Sequence, residues 1–414
     1  MHWARSILGT VAVLLVLRFC LSATYGSALA TMKDGFTDFP RMYLAGQRLN
    51  NHQPLYTHNL TDWYPPDLYI YPPTLGIAAQ FMARFSELQT RYFWVCLMLA
   101  TMTLAVFVFA SAAGFKWFDA IPFVVLLVTE HRFIPTMWQF FFGQVEFPLL
   151  LILVGMYWAI SRRNPALFAC VVSCGILIKT WMAIGLLWLI VTRAWRWLGF
   201  SLLLTFGGLA LMFTYLGWQE FPWFVGATLK YSYQPAQQCH SLISFAENFF
   251  RQTPRAVVPL VKSDFLYWTT RVLGTVLLLS PIPVLLAKPP VKNVYESHVR
   301  FSLLLLSGFL LLPLFYTNYF VMVLPILWTA FVVGPWQSNR NFTLAIVAFF
   351  VYLTMTVSYG DMNHGEYEPL FWWQFRFVTL FILWLALYWE TFRLARSKSN
   401  PTAIPVAQTK VELI

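Results

Sequence analysis

The sequence predicts an all-α polytopic membrane protein. Of its 414 residues, 59% are hydrophobic and only 11% are charged, whereas soluble domains are about 45–50% apolar and about 25% charged. The mean hydropathy is +0.61, and apolar runs recur along the whole chain, which leaves no room for a large soluble domain. Lys and Arg lie mostly in short loops beside these runs, as the positive-inside rule describes.

The distribution of Lys and Arg also indicates whether the protein binds nucleic acid. The formal net charge is +11, but a nucleic-acid-binding protein would concentrate that excess on one face. The excess of positive charge is therefore interpreted as a consequence of membrane topology, and no nucleic-acid partner is predicted. Its five cysteines show neither a disulfide framework nor a metal-ligand spacing. The Glu130-His131-Arg132 group lacks a third convergent ligand, so no metal site is predicted.

The N-terminal third predicts three transmembrane helices and one surface helix. The first spans residues 7–29 and starts from the cytoplasm, because Arg5 precedes it. The outer loop that follows holds a short amphipathic helix beginning at Asp38, in which Phe39, Met42, Tyr43, Gly46 and Leu49 recur at helical spacing. A second, short helix runs from Pro73 to Phe85, and Arg84 and Arg91 indicate a cytoplasmic turn before the third helix, residues 92–113.

The middle of the chain predicts interrupted helices around a cavity. Charged residues and Pro135 break one apolar run, and Gly143-Gln144 breaks the next before a clean helix at residues 147–160. Broken helices at membrane depth survive only where the backbone is buried or faces a wet cavity. Arg163 and Arg193 both indicate cytoplasmic turns, so the run between them goes out and returns, with its apex at Lys179.

The remaining pattern predicts about twelve helices, some of them partial or re-entrant, in one domain at residues 1–398. A helix at residues 197–215 leads to a second outer loop that carries His240. Two later helices meet outside at Thr317-Asn318-Tyr319, and Arg393 and Arg396 place the end of the last helix in the cytoplasm. Residues 399–414 form a cytoplasmic tail, so both termini are predicted to be inside. Asp38, Lys179, His240 and Asn318 are predicted to gather on the outer side.

Three polar residues each have two interpretations. Asp38 either caps its helix through its carboxylate or takes part in chemistry. Lys179 either faces a bound phosphate or extends its ammonium to the membrane surface. Glu146 is either a site acid or the partner of a neighbouring Arg; a charge inside a transmembrane run costs about 2.5–3.5 kcal/mol on insertion scales and needs a reason.

Several short motifs in order resemble glycosyltransferase family 87, polytopic enzymes of the GT-C superfamily that are often polyprenol-phosphate-mannose-dependent α-mannosyltransferases. The motifs are Asp38-Phe39 with Tyr43 and Pro54-Leu55-Tyr56; Tyr69-Ile70-Tyr71-Pro72-Pro73; Gly143-Gln144; Gly175 with Lys179; and Pro313 through Asn318-Tyr319 to Leu324-Pro325. The resemblance implies a GT-C-type bundle in which Asp38 is the catalytic carboxylate. It also implies that the donor phosphate and sugar are bound by Lys179, Tyr43, Tyr71, Gln144, His240, Asn318 and Tyr319.

Two departures from the family pattern fall in this site. The chain has Thr317-Asn318-Tyr319 where the family commonly has Asp-His-Tyr, and Cys239-His240-Ser241-Leu242 where it commonly has Asn-Gln-Ser-Leu. The resemblance implies transfer of a hexose, first of all mannose, from a polyprenyl-phosphate donor in the membrane to a lipid or glycan acceptor. The reaction would need no cofactor and would occur on the outer face of the plasma membrane. The alternatives are a transporter or lipid flippase, and an inactive scaffold of the same fold.

Overall fold

The computed structural model describes residues 38–56, 69–114, 135, 139–140, 142–232, 239–251, 259, 261–287, 293–313, 315–330, 342–356 and 368–397. Within these ranges the chain is helical and contains no strand, apart from an isolated bridge between Cys239 and Tyr316. The predicted first transmembrane helix and the C-terminal tail lie outside the described residues.

The helices alternate with short turns. In chain order they are α1 (Phe39–Asn50), α2 (Pro73–Met82), α3 (Glu87–Ala112), α4 (Glu146–Ser161), α5 (Pro165–Ile178), a 3-10 helix (Thr180–Gly185), α6 (Leu186–Val191), α7 (Trp195–Leu216), α8 (Glu220–Ser232), α9 (Leu242–Phe250), α10 (Asp264–Leu279), α11 (Pro281–Leu286), α12 (Val294–Leu311), a second 3-10 helix (Thr317–Val323), α13 (Leu324–Trp328), α14 (Phe342–Thr356) and α15 (Glu368–Ser397).

Four of the described helices are long and apolar enough to cross a membrane, and five shorter apolar helices accompany them. The four are Glu87–Ala112, Trp195–Leu216, Asp264–Leu286 and Gln374–Leu394. The all-α class and the presence of helices suited to a membrane are therefore confirmed for the described residues, whereas the count of twelve transmembrane helices is not. The short helices agree with the predicted interruptions, because a helix of 10–17 residues is about 15–26 Å long, less than the roughly 30 Å hydrocarbon core.

The predicted amphipathic helix is present as α1. Its buried residues include Phe39, Met42, Tyr43 and Gly46, which face α2 and the bundle. At Gly46 an added Cβ would run into the backbone of Ala79 in α2. Only glycine allows this approach, so α1 and α2 form a tight antiparallel pair that fixes where α1 begins.

The turn between α2 and α3 differs from the prediction. Tyr43 in α1 donates its hydroxyl to the carbonyl of Phe85 at 2.8 Å, so this turn lies beside α1. The sequence placed Arg84 and Arg91 at the cytoplasmic end, on the assumption that α2 crosses the membrane. With 10 residues, α2 is about 15 Å long and packs along α1 instead.

The other end of α3 identifies the opposite end of the bundle. Ser161 donates its hydroxyl to the carbonyl of Ala112 at 2.6 Å and contacts His298 at 2.9 Å. Arg193 donates to the carbonyl of Leu286 at 2.8 Å. We call the end that contains these five residues the basic end. The predicted hairpin is confirmed here, because α5 leaves this end, reaches Lys179, and α6 returns to it.

An aromatic cluster links the segment around Tyr56 and Tyr69 to α8. The Tyr56 ring packs against Tyr69 and against Phe224 of α8, with centroids 5.6 and 5.5 Å apart. The backbone N–H of Tyr56 donates to Glu220 at 3.0 Å, and its hydroxyl donates to the Tyr71 carbonyl at 2.9 Å. These contacts hold Tyr71 at the end of the bundle that carries Asp38.

Candidate functional site

The carboxylate of Asp38 does not cap α1. Its side chain makes no capping hydrogen bond, although Asp38 occupies the N-cap position. It accepts instead a hydrogen bond from the side-chain amide of Gln144 and lies 3.5 Å from the guanidinium of Arg41. The side chain keeps 27% of its surface exposed. The capping interpretation of this carboxylate is therefore wrong, and the acid is held in place by residues from two elements.

Gln144 connects Asp38 to Tyr71. The Tyr71 hydroxyl donates to Gln144 Oε1 at 3.0 Å, which leaves the amide NH₂ of Gln144 to donate to Asp38. The preceding Gly143 has φ +66°, a left-handed conformation that glycine adopts without steric cost. Its carbonyl accepts a hydrogen bond from the indole of Trp94 at 2.9 Å. The break in the apolar run thus serves to present Gln144 to Asp38.

Lys179 forms a buried ion pair with Glu146. Lys179 is 7% exposed and Glu146 is fully buried, so the ammonium does not extend to the membrane surface as one interpretation required. The prediction that Glu146 pairs with an Arg was wrong, because its partner is Lys179. The Lys179 ammonium also lies 5.3 Å from the ring of Tyr71 and 4.3 Å from that of Tyr319. These cation–π contacts stabilise a desolvated charge.

Asp38 lies in a mixed electrostatic environment. Burial raises the pKa of its carboxyl above the usual value, because desolvation disfavours the charged form. The positive charges of Arg41 and Lys179 and the hydrogen bond from Gln144 act in the opposite direction and lower that pKa. The result is a carboxylate that is more basic than one in water, which is a property that a general base requires.

The other predicted residues take three different positions. Tyr43 lies one turn along α1, and its hydroxyl is bonded to Phe85, away from Gln144. The ring of His240 packs at 4.8 Å against Phe320, the residue after Tyr319. The backbone of Asn318 lies in the second 3-10 helix, and its side chain is outside the described part of the chain. The structure thus brings together Asp38, Gln144, Tyr71, Lys179 and Tyr319.

Two cations near the site were not predicted. Arg41 lies three residues after Asp38, a spacing that places both on one helix face. Arg376 is 1% exposed in α15, and its guanidinium lies 5.8 Å from the ring of Phe320. A charged residue inside the apolar run at 374–394 could have been noticed, because such a residue needs a partner or a function.

Among the residues that the structure describes, no group of three His, Cys, Asp or Glu side chains could hold a metal ion. The arrangement consists instead of a carboxylate with a raised pKa, an amide that orients it, and a buried lysine between two tyrosine rings. These groups can accept a proton and stabilise negative charge on a neighbouring group.

The family comparison covers part of this group of residues. The family model of glycosyltransferase family 87 matches residues 69–313, more than half of the 414 residues. Tyr71, Gln144, Lys179 and His240 lie inside the matched range, and Asp38 lies before it. No curated protein matches the chain at a significant level.

Proposed function

The chain belongs to glycosyltransferase family 87, and we propose that it transfers a hexose, with mannose as the first candidate, from a polyprenyl-phosphate donor to a lipid or glycan acceptor. The observation that carries the proposal is the position of Asp38. Its carboxylate is fixed by Gln144 and close enough to Lys179 for the lysine charge to lower its pKa. The proposed base, Asp38, and the cation of Lys179 thus belong to the same group of neighbouring side chains.

Asp38 is the proposed general base. It accepts the proton of the acceptor hydroxyl while that oxygen attacks the anomeric carbon of the donor. The new glycosidic C–O bond forms as the bond between the anomeric carbon and the phosphate oxygen breaks, and the electron pair leaves with the lipid phosphate. A single displacement of this kind inverts the anomeric centre, so a β-linked donor gives an α-glycoside. General-base catalysis typically contributes about 10²–10⁴-fold.

Lys179 is the proposed contact of the leaving phosphate. An ammonium group has three N–H donors, and one of them is used by Glu146. Two donors are therefore available to phosphate oxygens among the groups that the structure describes. The rings of Tyr71 and Tyr319 flank the ammonium and limit its movement. The charge that develops on the phosphate is then met by a pre-oriented donor, as electrostatic catalysis requires. The proposed reaction uses no metal or cofactor.

We place the reaction on the outer face of the plasma membrane. The support is the pair of Arg-rich turns at the basic end, Arg162-Arg163 and Arg193 with Arg196, although Arg84 and Arg91 lie beside α1 at the other end. Arg163 and Arg193 lie at the basic end, which the positive-inside rule assigns to the cytoplasm, whereas Asp38 and Lys179 lie at the other end. The lipid tail of the donor would remain in the membrane while its phosphate reaches Lys179.

The experiment supplies purified protein in detergent with tritium-labelled mannosyl polyprenyl phosphate, glucosyl polyprenyl phosphate or a mannose nucleotide. We expect label to pass to an acceptor from a lipid-linked donor only, with an α-linkage from a β-linked mannosyl donor. Transfer from the nucleotide sugar, or retention of configuration, would overturn the proposed donor or mechanism. A protein that moves the lipid across vesicles without forming a glycoside would be a carrier.

A further inference from the structure

A cavity lies at the basic end, at the opposite end of the bundle from Asp38. Its volume is about 390 Å³, and it lies between the ends of α4 and α6 and the starts of α5 and α12. We call it the basic-end cavity. Its charged and aromatic lining residues are Arg163, Phe168, Trp188, Arg193 and Arg300.

The lining of the basic-end cavity carries excess positive charge. Three arginines line it, and no Asp or Glu does so among the described residues. Glu296, just behind the lining, pairs with Arg300 at 2.6 Å. Arg163 and Arg193 are the other two arginines of the lining. The 14-residue α5 also begins here, with Asn164 capping the N–H of Leu167, and the positive end of its helix dipole favours an anion.

Arg163 and Arg193 are in an unusual backbone conformation. Their φ angles are +52° and +57°, and the only other described non-glycine residue with positive φ is His52. Each arginine follows a helix end in the same pattern: the N–H of Arg163 donates to Ile160 and that of Arg193 to Ile190, both at 3.0 Å. Glycine normally occupies this position because a side chain is strained there.

Two strained arginines in equivalent positions beside one cavity indicate that their charges have a use there. Strain of this kind persists where a site depends on it. The cavity also has apolar walls, among them Phe168 and Trp188, which suit the glycerol and upper acyl region of a lipid. Basic pockets between transmembrane helices on the cytoplasmic side are known to bind anionic lipid headgroups.

We propose that the basic-end cavity binds the phosphate headgroup of an anionic phospholipid, with Arg163 and Arg193 as its principal contacts. Asn164 and Ser297 add polar side chains to the lining. The bound lipid would brace the turns that connect α4 to α5 and α6 to α7. This site is separate from the proposed glycosyl-transfer site, and neither proposal depends on the other.

The test measures the apparent Tm of the purified full-length protein in neutral detergent while dioleoyl phosphatidylglycerol, dioleoyl phosphatidylcholine or inorganic phosphate is added. We expect phosphatidylglycerol to raise the Tm more than the other two additives. In the double variant Arg163→Gly/Arg193→Gly this increase should be lost. Affinity should fall about fivefold for each arginine removed, the factor equivalent to roughly 1 kcal/mol per basic side chain near an anionic surface.

Glycine is chosen for the double variant so that a lost lipid response can be distinguished from a loss of folding. Glycine relieves the left-handed strain, whereas Arg193→Gly also removes the hydrogen bond from Arg193 to the Leu286 carbonyl, so the lipid response of each protein is measured from its own Tm without added lipid. The matched control is Arg162→Gln/Arg196→Gln, which removes one charge from the turn after α4 and one from the start of α7, neither of them in the cavity lining. The control should keep the full response to phosphatidylglycerol.

Three results would overturn the proposal. An unchanged lipid response in the glycine variants would show that the cavity is not the site. An equal loss in the Arg162 and Arg196 control would show that the response comes from the charge of the whole basic end. Protection by inorganic phosphate equal to that by phosphatidylglycerol would assign the cavity to free phosphate and not to a lipid.

Discussion

The side-chain amide of Gln144 donates a hydrogen bond to the carboxylate of Asp38, although the two residues are 106 positions apart. Tyr71 in turn donates to the Gln144 carbonyl oxygen. This chain of donors orients one carboxylate oxygen and leaves the other near Arg41. The proposed base is therefore fixed by residues from three separate segments, and each link can be removed individually.

The first prediction concerns the stability of Asp38→Asn. The apparent Tm of this variant should not fall below that of the wild type, because the side chain makes no capping bond and its neutral amide is easier to bury than a charged group. Because Asn caps a helix as well as Asp does, the capping role is tested by Asp38→Ala, in which loss of a capping side chain would cost about 1 kcal/mol. A clear drop in the Tm of Asp38→Ala would mean that Asp38 mainly stabilises α1.

The second prediction assigns a positioning role to Gln144. The variant Gln144→Leu should lower kcat, by up to about a hundredfold if the carboxylate moves by an ångström, with a smaller change in the KM for donor. Tyr71→Phe should lower kcat less, because the amide of Gln144 stays in place. Since the two residues act in series, the double variant should lose less than the product of the single losses. Independent, multiplicative losses would contradict this.

The third prediction concerns the ion pair of Lys179 and Glu146. Lys179→Met leaves a buried carboxylate without its partner, so we expect a loss of stability of about 3–5 kcal/mol and a poor yield of folded protein. Lys179→Met/Glu146→Leu should restore folding. If Lys179 binds the donor phosphate, the double variant will still show a raised KM for donor or a lower kcat. Wild-type kinetics in the folded double variant would make the pair purely structural.

The fourth prediction is a pH dependence. A general base must be deprotonated, so kcat should fall as the pH is lowered through the pKa of Asp38, which burial raises above its usual value. Arg41 lowers that pKa, so Arg41→Gln should raise it and move the acid limb of the kcat profile to higher pH. Arg48→Gln, at the other end of α1, is the control. If both variants shift the profile equally, the effect is one of net charge.

Much of the site was accessible from the sequence. Asp38, Tyr71, Gln144, Lys179 and Tyr319 were all predicted, and the structure brings them together. Tyr71, Gln144 and Tyr319 were predicted from the family resemblance, whereas Lys179 was also singled out because a charge within apolar runs of a membrane protein needs a reason. The membrane class and the hairpin with its apex at Lys179 were also predicted, because basic turns and helix lengths constrain them.

Other features depend on contacts that spacing does not reveal. The pairing of Glu146 with Lys179 joins residues 33 positions apart, and either could have had another partner. The position of the Arg84 turn depended on whether α2 crosses the membrane, and a Pro-initiated apolar run of borderline length fits both answers. Tyr43 matched a family motif, yet its hydroxyl is bonded to Phe85. The close packing of Gly46 on Ala79 brings α1 against α2 and so places Tyr43 beside Phe85.

The most direct test of the central claim compares sugar transfer by the wild-type protein and by Asp38→Asn, with labelled mannosyl polyprenyl phosphate at saturating concentration. We expect both proteins to bind the labelled donor with similar affinity, and the variant to lose at least about a hundredfold in transfer rate. Asp38→Glu should recover part of the rate. Transfer by a folded Asp38→Asn protein at the wild-type rate would contradict the assignment of Asp38 as the general base.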